Sequence, residues 1–167
     1  MTAQYKFALL QLNPIVGDIA GNASKLLESW THAQRDGADL VITSELFITG
    51  YAPEDFILKP RSMKLVRESI NMIARETATG PSILMGAPWL EGETLYNAAL
   101  MIEGGVIKNK VFKHALPNYG PFDEKRLFES GELQDIVEWH GAKLGVMLCE
   151  DMWHPEGSAH LKEQGAE

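Results

Sequence analysis

The chain has 167 residues, 45% of them hydrophobic, which is enough for one domain with an apolar core. Asp and Glu number 23 against 15 Lys and Arg, and the net charge of −8 argues against binding to nucleic acid or to an anionic membrane surface. No apolar run approaches membrane-spanning length, and no signal-type segment opens the chain. The single cysteine, Cys149, cannot form an internal disulfide. Composition therefore predicts a cytoplasmic globular protein.

The first half of the chain predicts strands that alternate with helices. Three apolar runs of strand length cover residues 5–12, 39–44 and 82–87. Asn22 is expected to be the N-cap of a first helix that ends before Gly37. A second helix is expected after a loop that contains Pro60, and it should stop before Gly80. Its apolar residues, Met63, Val66, Ile70 and Ile73, should lie on one face. This order is typical of parallel strands joined by helical crossovers.

The second half of the chain predicts hairpins. Residues 95–103 and 106–112 form the first, with a tight turn at Gly104 and Gly105. The remaining elements are a polar loop over 113–131, a strand pair over 134–139 and 142–148, and a helix over 155–164. We expect a mixed α/β sheet covered by helices on one face. The other face also needs a covering layer, and because few residues follow Cys149, the chain is expected to end before its core is complete.

Three chemically capable residues stand where apolar strands end: Glu45, Lys113 and Cys149. Strand ends at one edge of an α/β sheet are where sites assemble. A cysteine nucleophile needs a base for its proton and a donor for the oxyanion, and a carboxylate and a lysine can supply these. The alternative is that both charged residues are simply solvated and that the cysteine is a small core residue. The residues alone leave both interpretations open.

The histidines predict neither a metal site nor a Cys–His pair. His154 and His160 are six residues apart and fall on different faces of the expected helix, while His140 lies in a hairpin turn. The chain has no zinc-type, P-loop or dinucleotide-binding motif. No metal ligands are therefore predicted.

Three segments carry a family resemblance. Residues 44–51, 113–120 and 148–153 resemble, in this order, the catalytic blocks of the nitrilase (carbon–nitrogen hydrolase) superfamily. The middle block continues over 121–128, and with this extension the chain looks most like the glutaminase domain of glutamine-dependent NAD synthetases. The resemblance begins near Phe7 and spans nearly the whole chain. It implies an αββα sandwich of mixed sheets, present here as the amino-terminal part of a single domain over 1–167 and apparently truncated after the strand that carries the nucleophile.

The resemblance also implies a Glu–Lys–Cys triad. Cys149 would attack the carboxamide carbon of glutamine, Glu45 would act as general base, and Lys113 would stabilise the tetrahedral intermediate. The backbone N–H of Glu150 would complete the oxyanion hole, and Glu124 would be the supporting glutamate that positions the lysine or the substrate amide.

Three aromatic residues match positions that shape the glutamine pocket in the family: Tyr51, Tyr119 and Phe122. Loop packing is the alternative interpretation, and for Phe122 it is as good an explanation. Pro121 and Leu127 depart from residues that related sequences often carry, which does not alter the assignment.

The resemblance also sets expectations for ligands and partners. Glutamine is the expected small-molecule substrate, with no nucleic-acid or membrane partner and with a homo-oligomer in the full-length protein. No cofactor is expected in this chain, because ATP and Mg²⁺ belong to a synthetase domain that the 167 residues do not include. Residues that grip the glutamine α-amino and α-carboxylate groups would follow Glu167, so the chain alone is expected to be inactive. The alternatives are a free-standing amidase acting on another small amide and a non-catalytic fragment.

Overall fold

A mixed five-stranded sheet organises the chain in the computed structural model, which describes residues 4–167. Its strands are β1 (Phe7–Leu9), β2 (Leu40–Ile42), β3 (Ser82–Glu91), β4 (Thr94–Glu103) and β5 (Val106–Phe112). They lie in sequence order across the sheet. The first three are parallel, because helices connect them, and the last two are added by tight antiparallel turns.

Two amphipathic helices cover one face of this sheet. They are α1 (Ile19–Arg35) and α2 (Pro60–Glu76). The apolar face predicted for the second helix is confirmed, since Val66, Ile70 and Ile73 are buried in the main core. Trp30 of α1 packs in the same core and donates from Nε1 to the carbonyl of Pro81 at 2.9 Å. This hydrogen bond holds the start of β3 against α1.

A short second sheet lies against the opposite face. It consists of β6 (Val137–Trp139) and β7 (Ala142–Leu144) and is followed by a 3₁₀ helix (Cys149–Trp153) and by α3 (Pro155–Glu163). Val137 and Trp139 pack with Leu40 of the large sheet in a second apolar cluster. Phe7, in register with Leu40, remains 48% exposed, so the second sheet covers only part of this face. The predicted class, a sandwich of mixed α/β sheets, is confirmed.

Some element boundaries differ from the predictions. Asn22 is not an N-cap: α1 begins one turn earlier, where Asp18 accepts from the backbone N–H of Gly21. Asn22 is instead fully buried and holds the preceding loop, because its amide exchanges hydrogen bonds of 2.8 Å with the backbone of Ile15. Pro60 is the first residue of α2 rather than part of the loop before it, since its missing N–H costs nothing there.

The strands also differ in length from the predictions. β1, β2, β6 and β7 have three residues each, whereas β3 and β4 have ten and form a long hairpin around Gly92. Within residues 4–167, no helix combines the length and the apolar character that crossing a membrane requires.

Candidate active site

Three of the predicted site residues lie at one edge of the large sheet, each in a segment that follows a strand. Glu45 lies in the turn after β2, and Lys113 directly follows β5. Cys149 is the first residue of the 3₁₀ helix after β7. The backbone N–H of Lys113 donates to the carbonyl of Asn97 at 2.8 Å, which continues the pairing of β5 with β4 up to the site.

Gly86 of β3 makes the position of Glu45 possible. A Cβ atom at residue 86 would lie 2.4 Å from the carbonyl oxygen of Ser44 and 2.8 Å from the Cα of Glu45. Only a residue without a side chain allows the turn after β2 to pass so close to the neighbouring strand. The Gly86 N–H donates to the Thr43 hydroxyl at 3.1 Å and anchors the start of the turn.

A buried lysine joins two carboxylates at the centre of the site. The Nζ of Lys113 lies 2.6 Å from Glu45 Oε1 and 2.9 and 3.0 Å from the two oxygens of Glu124. The Lys113 side chain is completely buried, and that of Glu124 nearly so. Burial alone would lower the pKa of Lys113, but the charges and hydrogen bonds of Glu45 and then Glu124 outweigh it, and the net pKa is raised. The lysine is therefore a protonated ammonium ion.

The Cys149 thiol is accessible and sits on a strained backbone. The residue is exposed and has φ 43°, a left-handed conformation that is unfavourable for any residue with a Cβ. Partial desolvation of the sulfur raises the pKa of the thiol, the charge of Glu45 raises it further, and the charge of Lys113 lowers it. The net pKa is raised, so the resting sulfur carries its proton and a base has to remove it before attack.

Asp151 links the cysteine turn to the lysine segment. One carboxylate oxygen accepts from the backbone N–H groups of His114 and Ala115 at 3.1 and 2.7 Å. The other accepts from the N–H of Leu148 at 3.0 Å and from the amide of Gln134 at 2.7 Å. The sequence does not predict this role for Asp151, because the four donors come from three segments that meet only in the folded chain.

Asn97 is a residue of the site that the sequence analysis does not predict. Its side-chain N–H₂ group donates to Glu45 Oε1 at 2.7 Å and to Glu124 Oε2 at 3.2 Å. A polar amide in the middle of an apolar strand, between Tyr96 and Ala98, is the signal that could have revealed it, since Asn is depleted in strands.

The three predicted aromatic residues cluster beside the carboxylates. The Tyr51 hydroxyl donates to Glu124 Oε1 at 3.0 Å, and the rings of Tyr51 and Tyr119 both pack on Phe122, with centroids 6.4 and 5.6 Å away. Burial and then the charge of Glu124 raise the pKa of Tyr51, so its hydroxyl stays protonated and remains a donor. Tyr51 and Tyr119 are partly exposed and present an aromatic wall to solvent.

Glu150 has a place at the site through its backbone. Its side chain accepts from the Tyr119 hydroxyl at 2.8 Å, and this bond raises the pKa of Tyr119. Its N–H belongs to the first turn of the 3₁₀ helix, where such groups have no acceptor within the helix. That N–H is therefore free to bind a negatively charged oxygen.

The site contains a protonated thiol, the carboxylates of Glu45 and Glu124, a buried ammonium ion and a free backbone N–H. In residues 4–167 no group of three or more His, Cys, Asp or Glu side chains is placed to hold a metal ion. The chemistry that these groups can perform is attack by sulfur on a carbonyl carbon, with proton transfer through the carboxylate.

Comparison with known proteins shows which proteins the chain is similar to. The carbon–nitrogen hydrolase family model matches residues 6–167. The chain is 37% identical over its whole length to the glutamine-dependent NAD(+) synthetase of Rhodobacter capsulatus, of which it spans 30%.

Two solved structures are similar to the chain. The glutamine-dependent NAD+ synthetase from Acinetobacter baumannii superposes with a TM-score of 0.88 at 31% identity, over 98% of this chain and 31% of that one. An amidase from Nesterenkonia sp., with acrylamide added at its active-site cysteine, superposes with a TM-score of 0.81 at 25% identity, over 98% of this chain and 65% of that one.

Proposed function

The chain belongs to the carbon–nitrogen hydrolase family, and from this premise we propose that its site hydrolyses the carboxamide of glutamine through a thioester on Cys149. The observation that carries the proposal is the Lys113 ammonium ion, held between Glu45 and Glu124. Its charge and that of Glu45 both act on the Cys149 thiol. Glutamine is the proposed amide because the curated relatives that match the chain are glutamine-dependent synthetases.

The first half-reaction forms the thioester. Glu45 removes the thiol proton while the Cys149 sulfur bonds to the carboxamide carbon, and the carbonyl oxygen becomes an oxyanion. Lys113 has three ammonium protons; one meets Glu45 and one is shared by the oxygens of Glu124, so the third can bind the oxyanion together with the Glu150 N–H. Glu45 then gives its proton to the amide nitrogen, the C–N bond breaks, and ammonia leaves.

The second half-reaction releases glutamate. Glu45, a carboxylate again, takes a proton from a water molecule whose oxygen attacks the thioester carbon. The C–S bond breaks, glutamate departs, and the sulfur regains its proton from Glu45. Glu45 and Cys149 therefore serve in both half-reactions, and the proposed mechanism uses no cofactor.

The proposed role of the aromatic cluster is to shape the substrate pocket. Tyr51, Tyr119 and Phe122 form a wall beside Glu124, against which the methylene groups of glutamine can pack. Glu124 holds the lysine and accepts from Tyr51, so its proposed role is to support the oxyanion donor.

Residues 1–167 are proposed to be the amino-terminal part of one nitrilase-type domain in a longer protein. In that protein the ammonia would pass to a synthetase domain that converts deamido-NAD to NAD with ATP and Mg²⁺, and the whole would assemble as a cytoplasmic homo-oligomer. The residues that recognise the α-amino and α-carboxylate groups of glutamine are proposed to lie outside this chain, so the isolated chain is expected to turn over glutamine poorly.

An amidase acting on a simpler amide is the second candidate, favoured by the similarity to the Nesterenkonia enzyme over 98% of the chain. Ammonia release from glutamine and from propionamide, measured on the full-length protein that carries these residues, separates the two. The proposal predicts a strong preference for glutamine, and a loss of at least about 100-fold in Glu45→Gln but not in the exposed control Glu93→Gln. Equal or better turnover of propionamide would favour the amidase.

A further inference from the structure

Asn97 contacts all three charged residues of the site, Glu45, Lys113 and Glu124. Its Nδ2 atom lies 2.7 Å from Glu45 Oε1 and 3.2 Å from Glu124 Oε2, and its backbone carbonyl accepts from the N–H of Lys113 at 2.8 Å. The residue is fully buried on β4, on the sheet face that also carries Ala99. One side chain thus bridges two carboxylates while its main chain fixes the start of the lysine segment.

This amide does not contribute to the fold as an apolar residue would. Its Oδ1 atom is buried and has no hydrogen-bond partner among residues 4–167, which is an unfavourable state for a carbonyl oxygen. Turning the amide over would not help, because the oxygen would then face two carboxylates. The orientation that leaves Oδ1 unpaired is the one that gives both N–H groups to Glu45 and Glu124.

The consequence for Glu45 is a carboxylate held by one of its two oxygens. Lys113 and Asn97 both donate to Oε1 of Glu45. No residue in the described part of the chain donates to Oε2. Two donors that converge on one oxygen, one from β4 and one from the segment after β5, prevent the carboxylate from rotating. Oε2 is left as the oxygen that can accept a proton.

We propose that Asn97 is a positioning residue which fixes the Glu45 carboxylate so that Oε2 stays available to the Cys149 thiol. The proposal rests on Glu45 being the base of the proposed function, but not on glutamine being the substrate. Asn97 also places a shared donor between the like charges of Glu45 and Glu124, which would otherwise repel across the site with only Lys113 between them.

Alkylation of Cys149 by iodoacetamide tests this, because the reaction needs a thiolate but no substrate recognition. In the full-length protein, Asn97→Ala should react at least about tenfold more slowly than the wild type below the pKa of the thiol. Above that pKa the two rates should converge, because solvent then removes the proton. Asn109→Ala, an exposed asparagine on the adjacent strand β5, is the matched control and should react at the wild-type rate.

A double variant distinguishes positioning from a structural role. In a Glu45→Gln background, Asn97→Ala should change the alkylation rate by less than about twofold, because Asn97 acts through Glu45. An equal loss in both backgrounds, or a loss that persists at every pH, would overturn the proposal. Where the alanine variant does not fold, Asn97→Ser serves in the same cycle, since its hydroxyl keeps one donor and predicts an intermediate rate. Failure of glutamine hydrolysis would leave this result unchanged, so the two proposals fail separately.

Discussion

The carboxylate of Asp151 accepts a 2.7 Å hydrogen bond from the backbone N–H of Ala115, two residues after Lys113. With its bond to the N–H of Leu148, next to Cys149, it ties the segment that carries the lysine to the segment that carries the thiol. The separation between Lys113 and Cys149 therefore depends on Asp151, which has no role of its own in the proposed chemistry.

Replacing Asp151 by Asn should weaken both the fold and the site. The new amide N–H₂ group would face backbone N–H donors, which leaves at least one buried group unpaired at a cost of about 1–3 kcal/mol. Urea unfolding measures this cost, and ammonia release per folded molecule measures the effect on the site. Asp135→Asn, at a carboxylate that is largely exposed, should change the unfolding free energy by less than about 0.5 kcal/mol. Equal effects of the two substitutions would contradict this role for Asp151.

Gly86→Ala should displace Glu45. The added Cβ would lie 2.6 Å from the backbone N of Leu46, and since backbone atoms surround it, the turn must move away. We expect loss of most activity and a destabilisation of about 1–3 kcal/mol. The control is Gly157→Ala in α3, where the nearest atom would be 3.7 Å away. That substitution should be neutral or stabilising by up to about 1 kcal/mol. Wild-type activity in Gly86→Ala would show that the approach of β3 does not set the position of Glu45.

The pH dependence of Cys149 should follow the charges around it. Burial and the charge of Glu45 raise the pKa of the thiol, whereas Lys113 lowers it and Glu124 raises it. Lys113→Met should therefore raise the pKa further, and Glu124→Gln should lower it. The inflection in the rate of alkylation against pH measures both shifts. The exposed controls Lys125→Met and Glu129→Gln should leave the inflection in place. A shift in the same direction for both site variants would contradict this electrostatic account.

The left-handed backbone at Cys149 predicts an unusual order of stability. At φ 43° a Cβ is unfavourable by roughly 1–2 kcal/mol, so Cys149→Gly should be at least as stable as Cys149→Ala. At Ala142, in β7, alanine should be the more stable residue, and Ala142→Gly should lower the free energy of unfolding by about 0.5–1 kcal/mol. Thermal unfolding of the two pairs makes the comparison. A Cys149→Ala protein that is clearly more stable than Cys149→Gly would show that the turn is not strained.

Much of the architecture could be predicted from local patterns. The β–α–β–α–β order and the face of α2 follow from hydrophobic periodicity, which a single sequence displays directly. Glu45, Lys113 and Cys149 could be singled out because each follows an apolar run in the sequence, although β2 and β7 end at Ile42 and Leu144, before Glu45 and Cys149. Their roles as a triad remain predictions, although the structure joins Glu45 and Lys113 by a 2.6 Å ion pair.

What could not be predicted depends on contacts between distant segments. The sequence marks Asn97 only as a polar residue in an apolar strand. Its contacts, like those of Asp151, join segments that are far apart in sequence. The sequence predicts Asn22 as a helix cap because asparagine both caps helices and holds buried loops in place, and only the burial of its side chain distinguishes the two roles. The close approach of the turn after β2 to Gly86 cannot be predicted from the sequence for the same reason.

Mapping the site of covalent labelling by a glutamine-analogue electrophile tests the central claim most directly. In the full-length protein, peptide mass spectrometry should find the label on Cys149, with protection by excess glutamine. Labelling should fall by at least about 100-fold in Glu45→Gln and stay at the wild-type rate in Glu93→Gln. Label on Cys149 that is indifferent to both Glu45→Gln and glutamine, or no label on Cys149, would contradict the assignment of a Glu45–Lys113–Cys149 glutaminase site.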